Sequence, residues 1–298
     1  MRKFNTLILL GICLCFASTT FADLVIAQTL LRQKKYSEAR EEFQKSLPEL
    51  KGIEAAKIQL TIASTYAREN KFLEARQEYE KVLQIEEATD DQKSQALLEI
   101  GGYFWRYEKN NEGAKEAFEK IVAMEKASAV LKGRGQLGIA TVFWIEKNTA
   151  ETIKAALKAQ EIEGTGQATK HFAILYIARA QKLDKNYKDA LENYLKFIPN
   201  EKRIGYKTEA ILATGEIYLA QSEYEKSREA FATVLATKEA GISNNTKSNA
   251  HFNTAQSYFA EKNSEKALEE FKKLIEAPYV TASHKRTAET RIKQLEKK

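Results

Sequence analysis

The sequence predicts an all-α chain: a solenoid of about seven helix–turn–helix repeats closed by a C-terminal capping helix. Three observations lead there. First, a pair of positions four apart recurs, a small or aliphatic residue followed by a ring or, once, a leucine. The pairs are Ala39/Phe43, Ala75/Tyr79, Ala114/Phe118, Ile153/Leu157, Ala190/Tyr194, Ser227/Phe231 and Ala267/Phe271. Second, the steps between pairs run 36, 39, 39, 37, 37 and 40 residues. In that range each unit is one helical hairpin, too small to bury its apolar face except against its neighbours. Third, the surroundings of the pair repeat as well. Twelve positions earlier every unit has a small residue (Ala27, Ala63, Gly102, Thr141, Ala178, Gly215, Ala255), and nine earlier most have a ring, as at Tyr66, Trp105, Tyr218 and Tyr258. Spacings of three, four and seven fall on one helical stripe, where small residues let helices approach and rings fill the gaps.

Each element follows from local chemistry. The second helix of a unit begins three positions before the pair, at Tyr36, Phe72, Asn111, Ala150, Tyr187, Tyr224 and Ser264. Polar turns precede it, among them Glu69-Asn70-Lys71, Lys109-Asn110-Asn111 and Glu261-Lys262-Asn263, which suit a helix that ends and restarts. Pro48, Pro199 and Pro278 stand where second helices should stop, because proline cannot continue the hydrogen-bond ladder. The fourth unit departs, with Ile153 and Leu157 at the anchor and three glycines in its first helix, which makes it a candidate hinge; whether it is one stays open. After the last unit, Thr281 to Lys298 reads as one amphipathic helix with Ala282, Ala288, Ile292 and Leu295 inward and Lys285, Arg286, Arg291 and Lys293 outward. A solenoid needs such a polar-backed cap at its open end.

Residues 1–22 have a different character. Arg2 and Lys3, an apolar run from Leu7 to Phe16, and Thr20-Phe21-Ala22 have the grammar of a cleaved secretory signal peptide. The run is shorter than the ~20 residues that a bilayer crossing needs. Domain organisation is therefore 1–22 signal peptide and 23–298 repeat domain, exported to the periplasm or secreted. Cys13 and Cys15 both fall in the first segment, so the remainder has no thiol chemistry. Cleavage removes two basic residues and no acid, leaving 45 basic against 41 acidic side chains, a net charge of +4. Charges of both signs alternate along helix faces, without the one-sided basic surface of a nucleic-acid binder.

Chemistry-bearing motifs are sparse. Gly133-Arg-Gly135-Gln-Leu-Gly138 spells the dinucleotide glycine pattern, but no strand precedes it and it falls inside a predicted helix, where close helix approach accounts for it. His171, His251 and His284 lie in separate units with no metal-ligand spacing, and no nucleophile pairs with a base. The expectation is no catalytic site, no metal and no cofactor. Asn244-Asn245-Thr246 is a glycosylation sequon in a polar loop.

The segments Tyr36-Ser-Glu-Ala39-x3-Phe43, Phe72-Leu-Glu-Ala75-x3-Tyr79, Tyr187-Lys-Asp-Ala190-x3-Tyr194 and Tyr224-Glu-Lys-Ser227-x3-Phe231 resemble the second-helix signature of the tetratricopeptide repeat (TPR) family. The resemblance covers the whole chain after the N-terminal segment, although every unit exceeds the family's usual 34 residues. It implies a right-handed superhelix whose first helices line a concave groove for a protein or peptide. By register the partner-binding candidates are Arg68, Tyr103, Arg106, Tyr107, Phe172, Tyr176, Arg179 and Lys182, with Phe252, Asn253 and Phe259 beyond them. Exposed rings with arginines are a hot-spot composition. The family's carboxylate-clamp places hold Leu60, Thr61, Ala96 and Ile100 here, which cannot bind a carboxylate. The expected function is a non-enzymatic protein- or peptide-binding scaffold of the periplasm or cell envelope. The alternative is a glycan- or peptidoglycan-binding accessory protein using rings in the same groove. Oligomeric state is open.

Overall fold

The structure is a computed structural model and describes residues 21–297. Among the described residues there are fifteen helices and no strand. They are α1 (residues 21–32), α2 (Tyr36–Ser46), α3 (Gly52–Arg68), α4 (Phe72–Leu83), α5 (Asp90–Tyr103), α6 (Asn111–Ala123), α7 (Ala129–Ile145), α8 (Thr149–Glu161), α9 (Gln167–Leu183), α10 (Tyr187–Phe197), α11 (Ile204–Ala220), α12 (Tyr224–Ala236), α13 (Asn244–Ala260), α14 (Ser264–Glu276) and α15 (Ala282–Leu295). Of the segment read as a signal peptide, residues 1–20, with both cysteines, lie outside this range. No helix among the described residues is long and apolar enough to cross a membrane.

The helices form two compact units. One comprises the described residues up to Ile145 together with Lys158–Thr169; the other comprises Glu146–Leu157 and Lys170 onward. The division falls within the fourth repeat. In the first unit α2 to α7 each pack on the next in sequence, as α10 to α15 do in the second, and alternate helices also touch: α3 on α5 and α5 on α7 in the first, α11 on α13 and α13 on α15 in the second.

The anchor positions are the centre of the core. Ala39, Ala114, Ala190, Ser227 and Ala267 are fully buried, as are Phe231 and Phe271, with Phe43, Phe118 and Tyr194 close behind. Where the small partner is glycine the fit is tight. A Cβ on Gly215 would stand 2.5 Å from Phe231 Cε1, and one on Gly101 2.7 Å from Phe118 Cε1. Only a bare α-carbon admits the ring there.

Backbone geometry punctuates the array once per repeat. Lys34, Asn70, Lys109, Lys147, Lys185, Ser222 and Lys262 are the described non-glycine residues with positive φ, all between 58° and 65°. They stand in the turns between paired helices. The left-handed conformation ends one helix so that the next can start antiparallel. Their spacings are 36, 39, 38, 38, 37 and 40.

Those spacings correct the fourth repeat. Its anchor is Thr152/Ala156, both fully buried, while Ile153 is half-buried and Leu157 is 43% exposed. With this register α8 starts three residues before its anchor, as every other second helix does, and Thr152 N donates to Asn148 O as Ala39 N does to Lys35 O. The sequence favours Ile153/Leu157 because two aliphatics four apart look like a core pair. The true pair is small and partly polar. The small residue twelve positions earlier becomes buried Ala140 rather than Thr141, and the ring nine earlier becomes Phe143 rather than Trp144.

Arginines one position past the anchor fasten neighbouring repeats together. Arg40 is buried, reaches Glu69 at 2.8 Å and Thr65 Oγ1 at 3.3 Å, and lies 4.0 Å from the centre of the Tyr66 ring. Arg228 repeats the device with Glu261 at 2.9 Å, Ser257 at 3.4 Å and the Tyr258 ring at 4.3 Å. Arg76 meets Glu108 at 3.9 Å, but the rings beside it are Tyr103 and Phe104. A π-helical turn at Phe104–Glu108 adds a residue to the end of α5 and shifts the ring register.

The C-terminal helix caps the last repeat as expected, with Ala288, Ile292 and Leu295 buried. Two details differ. Ala282, at its first turn, is exposed, and Arg291 lies over the Phe259 ring at 4.8 Å.

Candidate functional site

In the first unit the middle turns of α3, α5 and α7 leave a cavity of about 250 Å3 between them. Leu60 and Ser64 come from α3, Gln95, Leu98 and Glu99 from α5, and Arg134 from α7; Tyr79 of α4 closes it from below. The i,i+4 spacing of Leu60/Ser64 and Gln95/Glu99 is what brings each pair to one face. The lining is apolar at Leu60 and Leu98, neutral and hydrogen-bonding at Ser64, Gln95 and Tyr79, and charged at Glu99 and Arg134. Burial pushes the Tyr79 phenol up to about 12; Glu99 adds to the shift and Arg68 opposes it. Tyr79 thus stays a neutral donor and acceptor. The space is below the ~300–1,000 Å3 of sites that enclose a drug-sized ligand, and suits one or two side chains.

Of the residues singled out from sequence, Arg68 ends α3, is exposed, and acts electrostatically on Tyr79. Tyr103, Arg106 and Tyr107 sit further along, at the end of α5 and in the π-helical turn. Tyr107 stacks on Phe72 at 4.4 Å and leans on Tyr103 at 5.4 Å, while Arg106 lies 5.4 Å from the Trp105 ring. They form a ring cluster beside the turn between paired helices. The extra residue of the π turn carries them there, and nothing in the sequence announces that turn. Gln95, Leu98, Glu99 and Arg134 were missed because the motif register emphasises the ring positions near the turn. The two i,i+4 pairs on the first helices were the available signal.

In the second unit the corresponding helices are tied to one another. Arg179 of α9 bonds Glu209 of α11 at 2.5 Å, Lys182 of α9 bonds Glu216 of α11, and Asn253 of α13 donates to Glu216 at 3.4 Å. Arg179 also lies 5.5 Å from the Tyr176 ring. Below them Tyr194 is buried, and desolvation holds its phenol well above the usual range. Phe172 packs edge-on against Phe197 at 6.0 Å and Tyr206 at 5.0 Å, with Arg203 4.0 Å from its ring centre. Beside it His171 stacks on Phe197 at 4.2 Å and approaches Glu201 at 3.3 Å. Burial raises the Glu201 carboxyl, but three bonds from Arg203 outweigh that and leave it below the ordinary carboxylate range.

The glycine motif of α7 is explained by packing. A Cβ on Gly138 would stand 2.6 Å from Phe118 Cγ, one on Gly135 3.1 Å from Ile121, and one on Gly133 would overlap Thr165 Oγ1. Among the described residues no group of three or more His, Cys, Asp or Glu is arranged to hold a metal.

Two family models match, both described as tetratricopeptide repeat: one over residues 56–89, covering α3 and α4, and one over 212–280, covering most of α11 to α14. TPR repeats therefore lie in both units. Solved structures agree on the fold. A TPR protein from Parabacteroides merdae superimposes with a TM-score of 0.60 at 12% identity, covering 93% of this chain and 99% of that one. Pseudomonas aeruginosa pilF gives 0.59 at 14%, covering 78% and 96%. PilW, described as a widely conserved type IV pilus biogenesis factor, gives 0.56 at 14%, covering 74% and 94%. No curated protein matches the sequence.

Proposed function

We propose that this TPR protein is a non-enzymatic scaffold, exported from the cytoplasm, that docks a protein or peptide on the first-helix face of its first unit. The observation that carries the reading is the cavity between α3, α5 and α7, with apolar walls, neutral hydrogen-bonding groups and one charge of each sign at Glu99 and Arg134. That mixture suits a partner's side chain with its flanking backbone. The family supports a protein partner, and the N-terminal segment supports export. In the second unit Arg179 and Lys182 of α9 are already paired with Glu209 and Glu216 of α11, which favours the first unit as the anchor. The test is photo-crosslinking from Gln95 or Leu98 in cells of the source organism, with Lys81 on α4 as control. A discrete adduct from the first two positions and none from the control supports the reading. Equal adducts from all three, or none, contradicts it.

One observation favours the glycan alternative: Tyr107, stacked on Phe72, is 47% exposed and offers its outer face. Pull-down on purified cell-wall polysaccharide, lost with Tyr103→Ala and Tyr107→Ala, would select it.

A further inference from the structure

The seventh repeat and the helix that caps it each carry a histidine, and the surroundings of the two are opposed. His284, at the third position of α15, places Nδ1 2.8 Å from Ser248 Oγ of α13 and 3.1 Å from Thr281 Oγ1. Each hydroxyl oxygen already accepts a backbone N–H, Ser248 from Thr281 at 3.1 Å and Thr281 from His284 at 3.3 Å. Each hydroxyl keeps a proton that it can donate, so the pair accommodates a bare Nδ1 on a neutral ring, whereas a protonated Nδ1 has to share those oxygens with the backbone N–H groups. Phe252 of α13 stacks on that ring at 4.8 Å. Among the described residues no carboxylate acts on it; burial alone sets its proton affinity. On α14, Glu270 is held by His251 and Lys273, and Lys272 pairs with Glu296. The charged neighbours along the chain are positive: Lys285 and Arg286 on α15, and Lys247 on α13.

His251 is the reverse case. It is buried on α13, with Nε2 3.3 Å from Glu270 Oε2 and Nδ1 3.1 Å from the Tyr279 hydroxyl. Glu270 and the Tyr279 hydroxyl can both accept, so this ring is hydrogen-bonded at both nitrogens by groups on and just after α14.

We propose that the C-terminal helix is an acid-sensitive latch: protonation of His284 undocks α15 from α13 while the α13–α14 hairpin stays folded. Undocking uncovers the apolar end of the array, formed by Phe252, Ala255, Phe271 and Leu274. Desolvation of the His284 ring lowers its affinity for the proton. The docked state is therefore stabilised above the ordinary histidine pKa, and the stabilisation is lost as pH falls through the lower docked value.

The test is hydrogen exchange on the intact chain, corrected for intrinsic pH dependence, between about pH 7.5 and pH 5. Protection of α15 falls across this range, while α14 protection is unchanged. His284→Asn keeps an acceptor near the Nδ1 position and cannot titrate, so its α15 protection is flat across the range. Protection of α15 that does not fall in the wild type, or that falls equally in His284→Asn, overturns the proposal. If the variant is already undocked at pH 7.5, an NMR titration of the wild-type ring decides. A His284 pKa below the ordinary value supports the latch; one at or above it overturns it.

Discussion

Replacing Gly138 by alanine sets two effects of opposite sign against each other. Gly138 lies in the interior of α7, where Gly→Ala stabilises a helix by about 0.8–1 kcal/mol through backbone entropy. Here the added Cβ would stand 2.6 Å from Phe118 Cγ and 2.7 Å from both Cδ atoms. The ring cannot retreat. It is 4% exposed, and on α5 the bare α-carbon of Gly101 leaves so little room that a Cβ there would come within 2.7 Å of it. Overpacking a filled core costs about 1–3 kcal/mol, and confinement from both sides puts this site at the upper end. The net expectation is destabilisation by about 1–2 kcal/mol. Urea unfolding reads it as a lower midpoint at unchanged slope. Phe118→Leu supplies the cycle: the double variant recovers about 1 kcal/mol relative to the sum of the singles, because the smaller side chain makes room. A Gly138→Ala protein with a raised midpoint, or strictly additive single variants, would refute the packing argument.

Arg40→Met strips Glu69 of its buried partner and should cost about 2 kcal/mol, less than a fully buried pair because Lys71 remains 3.2 Å from the same carboxylate; Arg40→Lys should recover only part, since it loses the planar fork over Tyr66. Chemical denaturation measures both. The hydrogen bond from His251 pulls the Glu270 carboxyl from 4.5 down to about 2. Its contribution is present above the ordinary carboxylate pKa and is lost as pH falls towards about 2. Glu270→Gln should therefore cost about 2 kcal/mol at neutral pH and progressively less between about pH 5 and pH 2, as thermal melts across that range would show. In the fourth repeat, Leu157→Ser should change stability by no more than about 0.5 kcal/mol, whereas Phe231→Ala, at a ring position in register, should cost about 3–5 kcal/mol.

The fold was legible because small-plus-ring anchors at near-constant spacing are hard to produce by chance and follow directly from hairpin packing. What the sequence hid was the fourth register, where Thr152 and Ala156 carry little hydrophobic signal and the more apolar Ile153 and Leu157 stand one place along. The arginine clamps were readable in principle, since Arg40, Arg76 and Arg228 each follow an anchor and Glu69, Glu108 and Glu261 each stand six before the next. The candidate site was less legible. Its residues have no special composition and gain significance only when α3, α5 and α7 stand side by side. The π turn moved Tyr103, Arg106 and Tyr107 away from where a regular helix would place them, and the pairing of Arg179 and Lys182 depends on glutamates some thirty residues away.

The central claim is that seven hairpins share one register, including the fourth. Cys13 and Cys15 are the chain's two cysteines; with both replaced by serine, single cysteines can be placed at 156 and 157, and at 231 and 232 as reference, and their labelling by a water-soluble thiol reagent timed under native conditions. Slow reaction at 156 and 231 with fast reaction at 157 and 232 is the expected pattern. Fast reaction at 156 with protection at 157 would contradict it.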